Sequence, residues 1–571
     1  MNTNNLLKEA FKLKKNKDYK KAEFTFEKIL KISPYHYEAN ISLGLLNIEN
    51  KNYNKAIKYF DKVTKKYPNK IDSYINLGNI NIINQNYKKA IKYFLKAYEI
   101  NPKKIDIINN LSFLYKQIED NTNSLKFIKI GLNIDSKNYF LLYILGTIYF
   151  LQDKINEATQ SLIKAINLQP NYFYSYINLL NILEKTNQIN KLKNYLTKAK
   201  KIFKDNPELY LIEASYYNRI KKFNDSNHIL IDKDLIKKFD NQIEKKIRYY
   251  DLLGKNFDKL NSTENAYNNF KQRNLLKSKI ENNKKFNKNV ILENINKYIK
   301  FFENNKKQIK NTNAIDGYSD PIFLVGFPRS GTTLLDTILR SHSKITVLEE
   351  KPYIANIRDN FFNSHEGFIG SLHKTNMNEI KTFRKKYFES VKKDLTNFKK
   401  NNLIIDKLPL NIIEVGFINK FFPNSKFILS SRHPCDVVLS CFITDFKINE
   451  GMANFYTLDD TVNLFSKVFS LWECYEKNLN IEYYNIKYED VIYNFKESIT
   501  KLLIFLDLNW EEELFNFNQK GILRDIIKTP SYSQVIEPLY TGSINRWKKY
   551  PQANYLEKNL NVWINKFKYN I

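Results

Sequence analysis

Two kinds of hydrophobic pattern divide the chain. Over 1–206 the apolar positions recur at the spacing of amphipathic helices, and the whole pattern repeats with a 34-residue period. Pro34, Pro68, Pro102 and Pro170 stand 34 residues or a multiple apart, and Ser136 fills the missing step. Ten positions after most of them come the small residues Gly44, Gly78, Ser112 and Gly146; a second small series reads Ala22, Ala56, Ala90, Ser124 and Ala158. Tyr19, Tyr53 and Tyr87 precede that series, and Phe26, Phe60 and Phe94 follow it. Small side chains let helices approach, aromatics fill the space beside them, and each proline marks a new unit after a helix stop. Beyond residue 320 the pattern changes. Short apolar runs at 322–325, 344–348, 403–407 and 427–431 predict strands of a mainly parallel sheet.

The period and its small and aromatic positions resemble the tetratricopeptide repeat, a pair of antiparallel helices per unit. One unit cannot bury its apolar face alone, so about five or six stacked units form one continuous core, an α-superhelix. The pattern fades after Pro170, and Pro207 restarts a helical stretch three residues late. The segment 207–310, rich in Lys and Asn, is expected to cap and connect, and NTNAIDGYSD (311–320) has the composition of a linker. The expected organisation is a repeat array at 1–206, a degenerate helical connector at 207–310 and a three-layer α/β domain at 311–571.

The third segment opens with its chemistry. After the run Ile322-Phe323-Leu324-Val325 comes Gly326-Phe327-Pro328-Arg329-Ser330-Gly331-Thr332-Thr333, then the helical LLDTILRSH. A strand, a glycine-bracketed loop and a helix start make a phosphate cradle, with backbone N–H groups and the helix dipole aimed at an anion. The Gly-x4-Gly spacing matches the Walker A frame, but Thr332 stands where that motif has its lysine. The lysine reaches the β- and γ-phosphates of ATP, so its replacement, with Arg329 inside the loop, disfavours ATP chemistry.

PRSGTT after a strand resembles the 5′-phosphosulfate loop of sulfotransferases that use 3′-phosphoadenosine 5′-phosphosulfate (PAPS). The resemblance covers 320–550 and is nearest to tyrosylprotein sulfotransferases and to bacterial sulfotransferases fused to tetratricopeptide repeats. It implies that Arg329, Ser330, Gly331, Thr332 and Thr333 hold the 5′-phosphosulfate, and that Arg432 and Ser440 grip the 3′-phosphate. It makes Glu350, second of the pair Glu349-Glu350, the catalytic base, and puts Lys407 near the transferring sulfuryl group. Weaker correspondences are Tyr488 near the nucleotide, Ser531 in a loop closing over it, and Arg546 where the family has a phosphate-holding lysine. Arginine keeps the charge there but not the geometry. His433, beside Arg432, is expected to be structural. The implied products are a sulfate ester and adenosine 3′,5′-bisphosphate, with no metal.

Composition changes this picture little. The net charge of +31 favours polyanionic ligands, but the lysines run along the whole chain, so no specific nucleic-acid role is expected. Cys435, Cys441 and Cys474 fit no zinc spacing or disulfide framework. The amphipathic N-terminus and the lack of a long apolar run lead to the expectation of a cytoplasmic protein with no membrane span. Three readings stay open beside sulfation of a protein or peptide tyrosine: a glycan or lipid-linked acceptor, a P-loop kinase, and a non-catalytic scaffold whose repeats bind a protein partner.

Overall fold

The structure is a computed structural model that describes residues 3–284, 287–305, 316–365, 369–395, 402–447, 449–518, 539 and 541–569. It divides into two compact units, Met1–Ile212 and Glu213–Ile571.

The first unit is a row of helical hairpins that keeps the sequence period. One set of helices starts at Tyr19, Tyr53, Tyr87, Asn121, Ile155 and Ile189, and the other at Tyr37, Ile71, Ile105, Tyr139 and Phe173. The turns inside the hairpins use left-handed residues at the same period: Lys17, Lys51, Gln85, Glu119, Asp153 and Asn187, followed by Lys221. The small positions have a steric cause. A Cβ on Gly44 would lie 2.4 Å from the Phe60 ring, and one on Gly78 would lie 2.5 Å from Phe94. The late Pro207 is in fact on the period. It opens the helix Pro207–Arg219, 34 residues after Phe173, and only the proline has moved, to a first-turn position that tolerates a missing N–H.

The second unit is built on five strands in the order β2-β3-β1-β4-β5, every pair parallel. They are β1 Ile322–Gly326, β2 Ile345–Glu349, β3 Leu403–Lys407, β4 Lys426–Ser431 and β5 Glu482–Lys487. Both faces are covered, which is the three-layer arrangement expected. Leu324, Ile405 and Ile428 pack against Leu335, Ile338 and Leu339 of the helix Thr332–Leu339, with Leu502 and Leu503 beyond. On the other face Phe323, Val325 and Leu429 join a larger core with Phe421, Phe465 and Trp563.

That larger core also takes in Phe270, Ile295, Tyr298 and Phe302, from helices Thr263–Lys284 and Asn289–Asn304. The pair Ile243–Lys259 and Thr263–Lys284 repeats the packing of the array, since a Cβ on Gly254 would lie 2.6 Å from Phe270. Its second helix is pinned by Arg273, which is fully buried. The guanidinium donates to Asp251 (2.7 Å) and to the main-chain carbonyls of Phe442 (2.8 Å) and Ile443 (2.9 Å). These carbonyls end the helix Pro434–Ile443, where intrahelical partners run out. No helix among the described residues is long and apolar enough to cross a membrane.

Candidate active site at the C-terminal ends of the strands

Parallel pairing brings all five strand ends to one edge. Leu324 and Glu349 both register with Lys407, Gly326 with Ser430, and Ser431 with Lys487. Ligands of open parallel sheets bind at this edge. The phosphate loop leaves β1, Glu350 follows β2, Lys407 ends β3, Arg432 follows β4 and Tyr488 follows β5.

The loop turns through Arg329 (φ 71°) and Gly331 (φ 107°) into the helix Thr332–Leu339. Gly331 is needed on two grounds: its backbone is left-handed, and a Cβ would lie 2.9 Å from Tyr488. Thr332 and Thr333 supply the first-turn N–H groups, which have no intrahelical acceptor. Arg329 Nε donates to Ser440 Oγ at 3.0 Å, so the two sequence motifs meet. Arg432 lies over the Tyr488 ring at 4.8 Å and donates to Arg329 O (3.2 Å) and Ser543 O (2.5 Å). Tyr488 shares a 2.8 Å hydrogen bond with Ser543 Oγ. Two buried polar atoms in this cluster, Arg432 Nε and Ser330 Oγ, have no hydrogen-bond partner among the described residues. Buried polar groups are nearly always paired, so such atoms on an anion cradle point to a ligand.

Beside the cradle lies a charged cluster. Lys407 is completely buried, and its Nζ donates to Glu350 Oε1 at 2.9 Å. It also stands 3.6 Å from Asp336 and 3.9 Å from Glu349. Arg340 donates to Asp336 at 2.7 Å and reaches Glu349 at 3.8 Å. Glu349, the first member of the Glu-Glu pair, is therefore part of the network. The Glu350 side chain remains 35% exposed, and its backbone is left-handed (φ 47°).

Other expected residues fall differently. Arg546 pairs with Asp258 (2.7 Å), which also accepts from the Tyr550 hydroxyl, so its guanidinium is turned to a helix of the 213–310 segment. Ser531 lies outside the described residues. His433 stacks on Trp547 at 5.2 Å, and its Nδ1 accepts from Cys435 N. Burial, reinforced by Lys548 and Arg432, brings its pKa down to about 4, so the ring is neutral at neutral pH. The cysteines are free and buried. Among the described residues no group of three or more His, Cys, Asp or Glu is placed to hold a metal.

Ser543, Asp336 and Arg340 were not singled out by the sequence. The last two stand four apart on one helix, a spacing that favours ion pairs and could have flagged them. Ser543 carries no such signal.

The sulfotransferase family model matches 321–512, which spans all five strands. Models for subunit 3 and for subunit 8/Cdc23 of the anaphase-promoting complex match 15–97 and 78–233. An uncharacterized protein of Aquifex aeolicus is 29% identical over 236 residues, 40% of this chain and 30% of that one. Protein-tyrosine sulfotransferase A of Caenorhabditis elegans is 23% identical over 259 residues, 42% of this chain and 65% of that one. The chain thus spans less than two thirds of either relative. The tetratricopeptide repeat protein YrrB, described with an unusual peptide-binding site, is similar at 17% identity and TM-score 0.28, over 32% of this chain and 95% of its own. The match over the sheet and the periodic hairpins before it lead to one assignment: the chain carries a C-terminal domain of the sulfotransferase family behind an N-terminal array of tetratricopeptide-type repeats.

Proposed function

We propose that the C-terminal domain transfers a sulfuryl group from PAPS to an acceptor hydroxyl. The observation that carries this reading is the meeting of the phosphate loop with Arg432 and Ser440, together with the unpartnered Arg432 Nε and Ser330 Oγ. ATP has no 3′-phosphate and would leave the Arg432–Ser440 side of the cradle without a ligand. The residue set fits PAPS: the loop N–H groups and Arg329 would hold the 5′-phosphosulfate, and Arg432, Ser440 and Tyr488 would hold the 3′-phosphate and the nucleotide.

In the proposed reaction the acceptor oxygen forms a bond to sulfur as the bond from sulfur to the phosphate oxygen breaks. The acceptor proton passes to Glu350, and adenosine 3′,5′-bisphosphate leaves. Lys407, Arg329 and the loop N–H groups offset the charge that grows on the leaving oxygen. A protein or peptide tyrosine is the acceptor we favour, on the Glu-Glu pair, the repeats and the similarity to a protein-tyrosine sulfotransferase. The repeats would present that acceptor or a partner protein.

The test is nucleotide discrimination. Each charge-assisted bond to the 3′-phosphate contributes about 1.5–3 kcal/mol, so Arg432→Ala should weaken adenosine 3′,5′-bisphosphate at least about ten-fold and leave AMP nearly unchanged. Calorimetry showing equal losses for both ligands, or none, overturns the assignment. Labelled PAPS in a host lysate then identifies the acceptor.

A further inference from the structure

We propose that Asp336 is a positioning residue that competes with Glu350 for Lys407 and so keeps the base available. This rests on the sulfotransfer reading above and extends it to a residue outside the family motifs quoted. The geometry is a closed circuit. Asp336 takes Arg340 on one oxygen (2.7 Å) and faces Lys407 with the other (3.6 Å). Arg340 reaches Glu349 (3.8 Å), and Glu349 returns to Lys407 (3.9 Å). Glu350 hangs from this circuit by its bond to Lys407 and is the most exposed of the three carboxylates, at 35% against 21% for Glu349 and none for Asp336.

Burial decides what this circuit does. Lys407 and Asp336 have no solvent exposure, and a buried ammonium needs a carboxylate partner in every position it takes up. With Glu350 as sole partner, Lys407 would hold the base tightly, and a carboxylate locked in an ion pair is a poor proton acceptor. Asp336 and Glu349 supply a second and third partner behind the ammonium. Lys407 can then release Glu350 to the acceptor proton and serve the leaving oxygen without losing all charge compensation. Arg340 fixes Asp336 from the far side, so the competing carboxylate is held in place by the phosphate-loop helix itself.

Asp336→Asn keeps the shape of the side chain and removes only the competing charge. It should lower kcat by about 10-fold, with KM for PAPS and affinity for adenosine 3′,5′-bisphosphate within about 2-fold of the parent. The measurement uses the full chain, labelled PAPS and N-acetyltyrosine amide as a phenolic acceptor that is still protonated at neutral pH. A structural role would not distinguish the genetic background. Positioning does: in Glu350→Gln, where there is no base to release, adding Asp336→Asn should cost less than about 2-fold. Should Asp336→Asn fail to fold, Arg340→Gln alters the same circuit from a partly exposed position and should show the same dependence on Glu350. Unchanged kcat, or an equal loss in both backgrounds, overturns the proposal while the function stands. A parent chain that neither binds adenosine 3′,5′-bisphosphate nor turns over PAPS overturns the function beneath it.

Discussion

Glu350 and Lys407 come to their 2.9 Å contact from adjacent strands, with Glu350 N also donating to Lys407 O at 2.8 Å. The main chain thus fixes where the carboxylate starts, and only the side-chain ion pair has to open for chemistry. If Glu350 is the base, Glu350→Gln should lower turnover by about 10²-fold or more, the usual contribution of positioned proton transfer, with nucleotide affinity little changed. Glu349→Gln, which touches the same lysine at longer range, should cost much less. Steady-state rates with chemistry limiting decide it, and equal losses would send the search for a base elsewhere. His433 is a weak alternative, because its neutral ring is held between Trp547 and a main-chain N–H. Asp406 makes a separate prediction. Burial pushes its pKa from 3.8 up to about 7, opposed by the Tyr387 hydroxyl that donates to it at 2.9 Å. The folded state therefore holds a proton that the unfolded state has lost, and stability falls as pH rises through that window. Asp406→Asn should abolish this slope, so that its melting temperature gains on the parent between about pH 5 and 8. His433 slopes the other way, losing stability as pH falls from 6.5 towards about 4, but does so in both proteins and cancels in the difference.

Among the elements, what could be read from the sequence was whatever the hydrophobic pattern states locally. β1 to β4 are apolar runs because the sheet buries them on both faces, and all four appear within a residue or two of their expected bounds. β5 was missed. Both β2 and β5 are edge strands, but β2 buries Ile345, Val347 and Leu348, whereas β5, Glu482–Lys487, buries only Ile486 and never shows a continuous apolar run. The same logic explains the site. The loop arginine, Arg432, Ser440 and Lys407 sit at the ends of recognisable strands or in the helix just after one, and backbone geometry alone brings them together. Arg546 opens the short 3-10 helix Arg546–Lys549, its partner Asp258 comes from a helix far away in sequence, and no local pattern encodes that choice. Ser543 is equally silent, although its carbonyl receives Arg432 and its hydroxyl meets Tyr488. The Lys- and Asn-rich stretch before the sheet was expected only to cap and connect, for a related reason. Beside its apolar residues, two of its anchors, Arg273 and Asn274, are polar residues buried against main-chain carbonyls, which no hydrophobic pattern marks.

At the scale of the whole molecule, the unit that carries the sheet extends further towards the N-terminus than its family match. The matched family segment starts at 321, and composition alone suggests a linker just before it. The packing argues for an earlier start. Arg273 and Asn274 both donate to Phe442 O, at the end of the helix that carries Ser440. Asp258 and Thr263 hold the 546–550 stretch through Arg546, Tyr550 and Lys549 O, next to the loop whose Ser543 receives Arg432. Both sides of the proposed 3′-phosphate grip are therefore braced by residues between 251 and 274. Deleting that brace also strips the buried Phe270 and leaves main-chain carbonyls without their donors, a combination that costs several kcal/mol. A 207–571 fragment, which keeps Pro207–Arg219 whole, should bind adenosine 3′,5′-bisphosphate like the full chain. A 286–571 fragment, which still contains every loop and strand-end residue of the site, should fail to bind or to melt cooperatively. Calorimetry and thermal denaturation on the two fragments separate these outcomes. Equal binding by both would mean that the brace is dispensable and that the sheet with its own helices suffices. If 207–571 binds as expected, its rate on N-acetyltyrosine amide should match the full chain while its rate on the native acceptor falls. That split would assign acceptor recognition to the repeats, whereas retention of both rates would assign the repeats another role.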